Sequence, residues 1–188
     1  LEGEEISFFA LCDGQTVLPL TSAQDHKRAF DNDEGPNTGG MGAYSPAHVM
    51  TDRIEEIIIR DHLEPTLKTM AAEGYPFTGV LFAGLMLTKD GPKMLEYNIR
   101  FGDPECQALM LRMEGDLLDI LDKAPETRLN EVLADVSWSK DPSICVVMAT
   151  KGYPGSYQKG SVIQGLSQIK HAQVFHAGTA ADDKGNLL

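Results

Sequence analysis

The sequence predicts an α+β fold, because hairpin signals and a helical segment occupy separate stretches of the chain. Two apolar runs, residues 6–11 and 16–20, flank an Asp-Gly turn, which is a strong hairpin signal. Residues 51–72 carry apolar side chains at helical spacing. A nearly continuous apolar run, residues 78–87, is followed by a Gly-Pro turn and by residues 93–98, and these two segments predict a second pair of strands.

Two helices are predicted. The first covers residues 51–72, with the Thr51 hydroxyl as its N-terminal cap, and Pro65 is expected to kink it or to divide it in two. The second covers residues 104–121, because a proline suits its first turn and Asp103 suits the cap before it. Together they supply the helical part of the α+β fold.

The remaining segments show weaker patterns. Residues 21–48 are rich in Asp, Asn, Gly, Pro and Ser, and they predict a long irregular stretch of the kind that is usually functional. Residues 123–142 are polar and contain two prolines, so we interpret them as a linker or a domain crossing. Residues 144–149 are predicted as a buried strand, and residues 173–178 as a further strand.

Composition and charge exclude several classes of protein. The 188 residues are 42% apolar and 23% charged, as in globular proteins. The 28 acidic and 16 basic residues give a net charge of −12, which repels a phosphodiester backbone, so no nucleic-acid partner is expected. No apolar run reaches about 18 residues, so no membrane partner is expected. Three scattered cysteines form neither a zinc nor a disulfide motif, which indicates reduced thiols in a cytoplasmic protein.

The sharpest chemical feature lies at the end of a predicted strand. Glu96 and Asn98 are two residues apart, so their side chains point to one face of the sheet. A carboxylate and an amide oxygen suit Mg²⁺, which takes few protein ligands and completes its shell with water and phosphate. Arg100, two residues further on, is able to hold a phosphoryl oxygen. The alternative is a solvated strand end with a surface ion pair, and the pattern alone leaves both open.

A glycine-rich segment, residues 35–44, offers successive backbone N–H groups that are able to surround an anion, together with the Asn37 amide and the Thr38 hydroxyl. It matches neither a Walker A loop nor a Rossmann fingerprint. Just before it, Asp25 is able to accept a hydrogen bond from an amine, and Lys27 is able to face a phosphate. The alternatives are a glycine-rich surface loop and a solvated run of mixed charge, and these residues leave them open.

Three motifs together resemble one known family. Gln-Asp-His-Lys-Arg at residues 24–28, the glycine-rich stretch at residues 35–46 and the stretch 96–105 have the order and spacing found in glycinamide ribonucleotide synthetases, which are ATP-grasp enzymes. Shorter matches extend the resemblance over essentially the whole chain, and they are residues 1–5, 83–86, 151–155 and 174–179. Several long motifs in register are far more specific than any one of them.

The resemblance implies the C-terminal lobe of an ATP-grasp domain in residues 1–122, followed by the start of a small β-rich C-terminal domain in residues 123–188. Such an enzyme uses ATP and Mg²⁺ (or Mn²⁺) to activate glycine as an acyl phosphate. The amine of 5-phosphoribosylamine then attacks it, giving glycinamide ribonucleotide, ADP and phosphate. Because the family's N-terminal domain and the end of its C-terminal domain are absent, we expect this fragment to be inactive alone. We also expect a monomer. The alternatives are another ATP-grasp carboxylate–amine ligase and a non-catalytic nucleotide- or metal-binding module.

The resemblance also implies roles for individual residues. Glu96 and Asn98 match the metal ligands, Arg100 matches the arginine beside the transferring phosphate, and Glu5 and Met86 match positions at the ATP site. Catalytic or substrate-binding roles are expected for Asp25, Lys27, His26, Asn37, Thr38, Gly39, Gly40, Gly42, Asp103 and Pro104.

One position departs from the wider superfamily. Many ATP-grasp enzymes carry a further acidic metal ligand twelve residues before the position of Glu96, and here that position is Gly84. Since the protein supplies fewer charges, the phosphates of ATP must supply more. We therefore expect weak metal binding in the absence of nucleotide.

Overall fold

The structure contains ten strands and four α-helices. The computed structural model describes every residue from Leu1 to Leu188, and we number the strands and helices in chain order. The strands are β1 (Glu4–Asp13), β2 (Val17–Asp25), β3 (Arg28–Phe30), β4 (Glu34–Asn37), β5 (Gly42–Ser45), β6 (Thr78–Thr88), β7 (Gly91–Asn98), β8 (Met113–Glu114), β9 (Ser137–Trp138) and β10 (Ser143–Val146). The α-helices are α1 (Asp52–Ile58), α2 (Glu64–Ala72), α3 (Glu105–Met110) and α4 (Leu117–Lys123).

The chain divides into two compact units, which we describe separately. The first comprises Leu1–Lys27 and Gly39–Val147, and the second comprises Arg28–Thr38 and Met148–Leu188. A six-stranded sheet in the order β10-β5-β2-β1-β6-β7 forms the first unit. Its pairings are all antiparallel, and both predicted strand pairs, β1–β2 and β6–β7, are confirmed.

The central strand β1 is buried on both faces. Side chains alternate along a strand, so Phe8 and Phe9 point to opposite sides of the sheet. Phe8 packs with Ile58 in the cluster beneath helices α1 and α2, while Phe9 packs with Leu109 of α3. We call the side that carries Phe9 the second face. Burial by helices on both sides explains why the apolar run in β1 is nearly continuous.

The first predicted helix forms with the predicted cap. The hydroxyl of Thr51 accepts a hydrogen bond from the backbone N–H of Ile54 at 3.3 Å. The helix continues to Ala72, and the irregularity expected at Pro65 appears just before it, as a π-helical turn over Ile59–Leu63. Proline lacks an N–H and clashes with the preceding turn, so this widened turn lets the helix run through it without a break.

The second predicted helix is wrong in extent and in its cap. The segment forms two short helices, α3 and α4, around the short strand β8 and Gly115, which has a φ of 122° that favours glycine. Asp103 does not cap α3. Pro104 stands at the cap position without a side-chain cap bond, and Asp103 Oδ1 instead accepts from Gln107 Nε2 at 2.8 Å.

The segment interpreted as a linker or a domain crossing, residues 123–142, is not a free linker, because part of it packs against the sheet. Leu129 and Val132 are buried, and they contact side chains of β1 and β2. The buried Asp13 carboxylate accepts from the Leu129 backbone N–H at 3.0 Å. Apolar residues at irregular spacing therefore anchor this segment, although its polar composition indicated exposure.

Three other predictions need correction. Residues 21–48 are not uniformly irregular, because β2 extends to Asp25 and short strands follow. The strand expected at 144–149 is the shorter edge strand β10, and its Ile144 is 69% exposed rather than buried. The strand expected at 173–178 does not form. Periodicity alone does not show whether an apolar run finds a pairing partner.

The second unit contains the β3–β4 hairpin and a largely irregular segment. Arg28 Nη1 donates to the Gly35 carbonyl at 2.7 Å across this hairpin. A 3₁₀ turn covers Leu166–Gln168, and Ala181 forms an isolated bridge with Leu187. In the chain as a whole, no helix combines the length and apolarity needed to cross a membrane.

Candidate active site

Three neighbouring strands bring the predicted nucleotide and metal residues to the second face. Glu5 of β1 lies directly opposite Met86 of β6, and Gly84 of β6 lies directly opposite Glu96 of β7. Asn98 follows Glu96 at a spacing of two, so it lies on the same side. The sheet register, set by antiparallel pairing, therefore assembles these residues from three distant parts of the sequence.

Glu96, Asn98 and Arg100 form a hydrogen-bonded row at the end of β7. Asn98 Nδ2 donates to Glu96 Oε1 at 3.1 Å, and Arg100 Nη2 donates to Asn98 Oδ1 at 3.4 Å. Arg100 Nη1 also donates to the Phe101 carbonyl at 2.9 Å. The row places a carboxylate, an amide and a guanidinium side by side, with Glu96 and Arg100 exposed.

The donor set of this row fits a hard cation held by few protein ligands. Glu96 and Asn98 offer one carboxylate and one amide oxygen, which are the donors that Mg²⁺ prefers. No group of three His, Cys, Asp or Glu residues in the chain is arranged to hold a metal by itself. Gly84 faces Glu96 across the strands, and a Cβ on Gly84 would lie 3.4 Å from Glu96 Cγ. Gly84, the position at which many ATP-grasp enzymes are expected to carry a further acidic metal ligand, therefore lies next to Glu96.

Lys27 links carboxylates from two strands. Its Nζ lies 3.4 Å from Glu5 Oε2 and 4.0 Å from Asp25 Oδ2. Asp25 closes strand β2, and the register places Ala23, two residues earlier, opposite Ser7 of the second face. Lys27 therefore joins the predicted ATP-binding residue Glu5 to the predicted catalytic residue Asp25.

Asp25 is a buried carboxylate with an unpaired oxygen. Its side chain is only 6% exposed, and its Oδ1 atom has no hydrogen-bond partner. Burial and, to a lesser extent, the nearby negative charge of Glu105 raise the pKa of Asp25 to about 6, and Lys27 opposes both effects. A carboxylate kept in this environment without a full set of donors is typical of a functional site.

Glu105 is the acidic residue that the sequence did not reveal as a site residue. It is 3% exposed, and its Oε1 accepts a hydrogen bond from Ser7 Oγ at 3.0 Å. A Cβ on Gly102 would come within 2.3 Å of Glu105 Oε2, so glycine leaves room for this carboxylate. The only sequence signal was its place at the end of the third motif, since nothing in the local pattern predicts burial of a glutamate.

Gly40 brings the glycine-rich segment into contact with the third motif. It has a φ of 127°, and a Cβ there would lie 2.4 Å from Pro104 Cδ and 2.9 Å from Asp25 Oδ1. The Asp103 carbonyl oxygen would be 3.0 Å away. Four predicted residues, Gly40, Asp25, Asp103 and Pro104, thus meet at one point. Both the backbone conformation and the close approach require glycine at this position.

The remaining predicted substrate residues are His26, Asn37, Thr38, Gly39 and Gly42. The His26 ring is 5.9 Å from the Tyr44 ring. Gly42 is in β5 next to β10, where a Cβ would meet the Cys145 carbonyl oxygen at 2.9 Å. Gly39 belongs to the first unit, whereas Asn37 and Thr38 belong to the second. Substrate roles for these residues stay predictions.

Comparison with known proteins identifies the family. Residues 1–106 match the model of the ATP-grasp (A) domain of phosphoribosylglycinamide synthetase, and residues 143–188 match the model of its C domain. A phosphoribosylamine–glycine ligase from Brucella melitensis is 55% identical over 97% of this chain and 43% of its own length. One from Vigna unguiculata is 55% identical over 100% of this chain and 62% of its own length. The chain therefore spans only part of the length of these relatives.

Solved structures agree on the fold. A crystal structure of phosphoribosylamine–glycine ligase from Thermotoga maritima superposes with a TM-score of 0.85 and 33% identity, over 100% of this chain and 45% of that one. A biotin carboxylase from Campylobacter jejuni, with a TM-score of 0.55 and 16% identity over 82% of this chain and 32% of that one, shares the fold. The α+β class and the ATP-grasp fold are thus confirmed, while the domain boundary at residue 122 stays a prediction. The chain belongs to the phosphoribosylglycinamide synthetase family.

Proposed function

We propose that the protein carrying this chain ligates glycine to 5-phosphoribosylamine with ATP. A glycine carboxylate oxygen attacks the γ-phosphorus of ATP, which forms glycyl phosphate and releases ADP. The nitrogen of phosphoribosylamine then attacks the carbonyl carbon, the bond from that carbon to the phosphate oxygen breaks, and the nitrogen loses a proton. The products are glycinamide ribonucleotide and phosphate. Activation as an acyl phosphate replaces a poor leaving group by a good one.

One observation carries the proposal. The Glu96–Asn98–Arg100 row and the carboxylates of Glu5 and Asp25 occupy one face of a single sheet, in a chain about 55% identical to ligases of this name. The row offers groups that recognise phosphate. The buried carboxylate offers a group that recognises an amine. A ligase that joins a phosphorylated acid to an amine needs both kinds of group close together.

The residues of the site have distinct proposed roles. Arg100 holds an oxygen of the transferring phosphoryl group with a guanidinium that stays charged throughout. Lys27, between two carboxylates, places a positive charge between the nucleotide side and the amine side of the site. Asp25 accepts hydrogen bonds from a substrate amino group. Met86, opposite Glu5, supplies an apolar surface for the adenine ring.

Glu96 and Asn98 would hold a Mg²⁺ ion, or a Mn²⁺ ion in its place. When bound, the ion would neutralise negative charge on the ATP phosphates. The carboxylate and amide are already neighbours, since Asn98 Nδ2 donates to Glu96 Oε1. The proposed small-molecule substrates are ATP, glycine and 5-phosphoribosylamine, and we propose a cytoplasmic, monomeric enzyme.

Phosphate release by the full-length enzyme tests the proposed function. The enzyme is supplied with ATP, Mg²⁺, glycine and phosphoribosylamine together, and then with each substrate omitted in turn. We expect phosphate release only when all the substrates are present. Release that depends on another acid–amine pair would assign the protein to a sister ATP-grasp ligase. Absence of release with any pair would favour a non-catalytic binding module.

A further inference from the structure

Strand β7 contains a bulge directly before Glu96. Met94 lies opposite Leu85 of β6. Glu96 lies opposite Gly84, so one step along β6 matches two steps along β7. Leu95 is therefore an extra residue with no opposite partner. Bulges of this kind occur often beside active sites, where the added residue redirects the side chains next to it.

The bulge decides which face of the sheet the proposed metal ligands occupy. Met94 and Tyr97 both pack against the apolar cluster beneath helices α1 and α2, although they are three positions apart in the chain. Side chains alternate along a regular strand, so positions three apart would point to opposite faces. The extra residue reverses the alternation once, and Glu96 and Asn98 thereby face away from the cluster. With Met94 in place and no bulge, Glu96 would point into the apolar cluster.

The Tyr97 hydroxyl fastens the end of β7 to the helices. Its Oη atom donates a hydrogen bond to the His62 carbonyl at 3.0 Å, within the π-helical turn. Thr66 Oγ1 lies 2.9 Å from the same Oη atom. A phenol has a single proton, which is given to His62, so the Thr66 hydroxyl is the donor in the second bond. Both bonds therefore join the strand to the helical segment rather than to its neighbours in the sheet.

Burial of the Tyr97 ring alone would not fix the position of β7. The hydrophobic effect has no direction, so it stabilises an apolar ring at any depth in the cluster. A hydrogen bond weakens away from its preferred distance and angle, so the bond to His62 specifies where the ring stops. Because Glu96 and Asn98 flank Tyr97 in the chain, the same bond sets the position of their side chains on the opposite face.

We propose that Tyr97 is a positioning residue for the metal ligands. Its bond to His62 holds the bulged end of β7 in the register that presents Glu96 and Asn98 to a Mg²⁺ ion. Tyr97 acts through these two neighbours, because its own ring lies in the cluster on the other side of the sheet. The inference rests on the proposed function, since the metal-binding role of Glu96 and Asn98 is part of that proposal.

Hydrogen–deuterium exchange of the full-length enzyme, without metal or nucleotide, tests whether Tyr97 holds the strand. Tyr97→Phe keeps the ring and removes only the hydroxyl. We expect the amides of residues 94–98 to exchange about 2- to 10-fold faster, which is the factor that one hydrogen bond contributes, while the amides of β1 keep their rate. Ile54→Val, which trims the same cluster from α1, is the matched control and should leave exchange at residues 94–98 unchanged.

The affinity for ADP, measured by calorimetry with and without Mg²⁺, tests whether Tyr97 positions the ligands. Mg²⁺ should tighten ADP binding by the unsubstituted enzyme, because Glu96 and Asn98 would supply ligands to the ion on the nucleotide. Tyr97→Phe should reduce this gain about 10-fold and leave the affinity for metal-free ADP unchanged. It should also lower kcat about 10- to 100-fold at an unchanged KM for glycine, since a small displacement of the site is costly.

Each outcome for the variants decides the question. Unchanged exchange at residues 94–98 in Tyr97→Phe would show that the hydroxyl does not hold the strand, and this overturns the inference. Faster exchange with an intact Mg²⁺-dependent gain overturns it too, because the bond would then be structural only. The same losses in Ile54→Val would assign them to packing. If Tyr97→Phe does not fold, Thr66→Val gives the answer, since it removes the donor to Tyr97 Oη and should cause smaller losses in the same direction.

Failure of the proposed function is distinguishable from failure of the inference. If Mg²⁺ does not tighten ADP binding by the unsubstituted enzyme, Glu96 and Asn98 are not metal ligands, and the inference is overturned with that assignment. If the Mg²⁺-dependent gain is present but no phosphate is released with glycine and phosphoribosylamine, the ligase function fails. The exchange and ADP measurements would in that case still support Tyr97 as the positioning residue of a metal-nucleotide site.

Discussion

Asp25→Asn should stabilise the protein in the absence of substrates, although it removes a proposed catalytic residue. The pKa of Asp25 is raised from 3.8 to about 6, a difference of about 2 units. At 1.36 kcal/mol per unit, the charged carboxylate costs about 3 kcal/mol above pH 7. Asparagine has nearly the same shape and no charge. It still buries a polar amide beside Gly40, so we expect a net gain of about 1–2 kcal/mol.

The pH dependence of this gain follows from the direction of the pKa shift. Because the pKa of Asp25 is raised in the folded state, the native protein binds more protons than the unfolded chain between pH 3.8 and about 6. The stability of the unsubstituted protein therefore falls as pH rises through this window. Below it, the carboxyl group is neutral in both states. The electrostatic part of the gain, about 3 kcal/mol, should be complete above about pH 7 and lost near pH 4, where only the cost of the buried amide remains.

Urea unfolding of the purified protein at several pH values measures both effects. Asp122→Asn, at an exposed position on α4, is the matched control and should change the free energy of unfolding by less than about 0.5 kcal/mol. Two results would refute the reasoning. One is an Asp25→Asn protein less stable than the unsubstituted protein at pH 7.5. The other is a stability difference that does not change between acid and neutral pH.

Three further predictions address the metal row and the packing of the sheet. Glu96→Ala should lower kcat about 100-fold through loss of a metal ligand, and unchanged turnover would remove Glu96 from the site. Gly84→Asp should place a carboxylate beside Glu96 and raise the affinity for Mg²⁺ in the absence of nucleotide, as measured by calorimetry. Tight Mg²⁺ binding by the unsubstituted protein would contradict our expectation that it binds the ion weakly. Arg112 is 7% exposed and donates to Ser45 Oγ and the Ser139 carbonyl, each at 2.9 Å. Arg112→Met should therefore lower the free energy of unfolding by about 3 kcal/mol in urea, and a loss below about 1 kcal/mol would show that these bonds are replaced by others.

Local patterns in the sequence correctly predicted those elements that depend on contacts between residues close together in the chain. The Asp-Gly turn specified the β1–β2 hairpin, and Thr51 specified the start of the first helix. The spacing of two between Glu96 and Asn98 was enough to place both side chains on one face, because alternation is a property of any strand. The family motifs then gave these residues a chemical role that the spacing had left open.

Local patterns failed where a distant partner decides the outcome. The apolar run at residues 144–149 predicted a buried strand, but β10 lies at the edge of the sheet and Ile144 is exposed. Whether such a strand is buried depends on the segments that pack against it, and these lie elsewhere in the sequence. The helix predicted over residues 104–121 is interrupted at Gly115 because β8 pairs there with β9, which is far along the chain. Propensity is a weak signal when tertiary pairing competes with it.

The sequence by itself therefore determined the family, the fold class and the row of groups on β7. The tertiary structure alone decided the electrostatics of the site. Ser7 and Glu105 are 98 positions apart, and only the packing of α3 on the second face joins them. The same packing removes water from Asp25, and desolvation depends on everything that surrounds a side chain rather than on its neighbours in sequence.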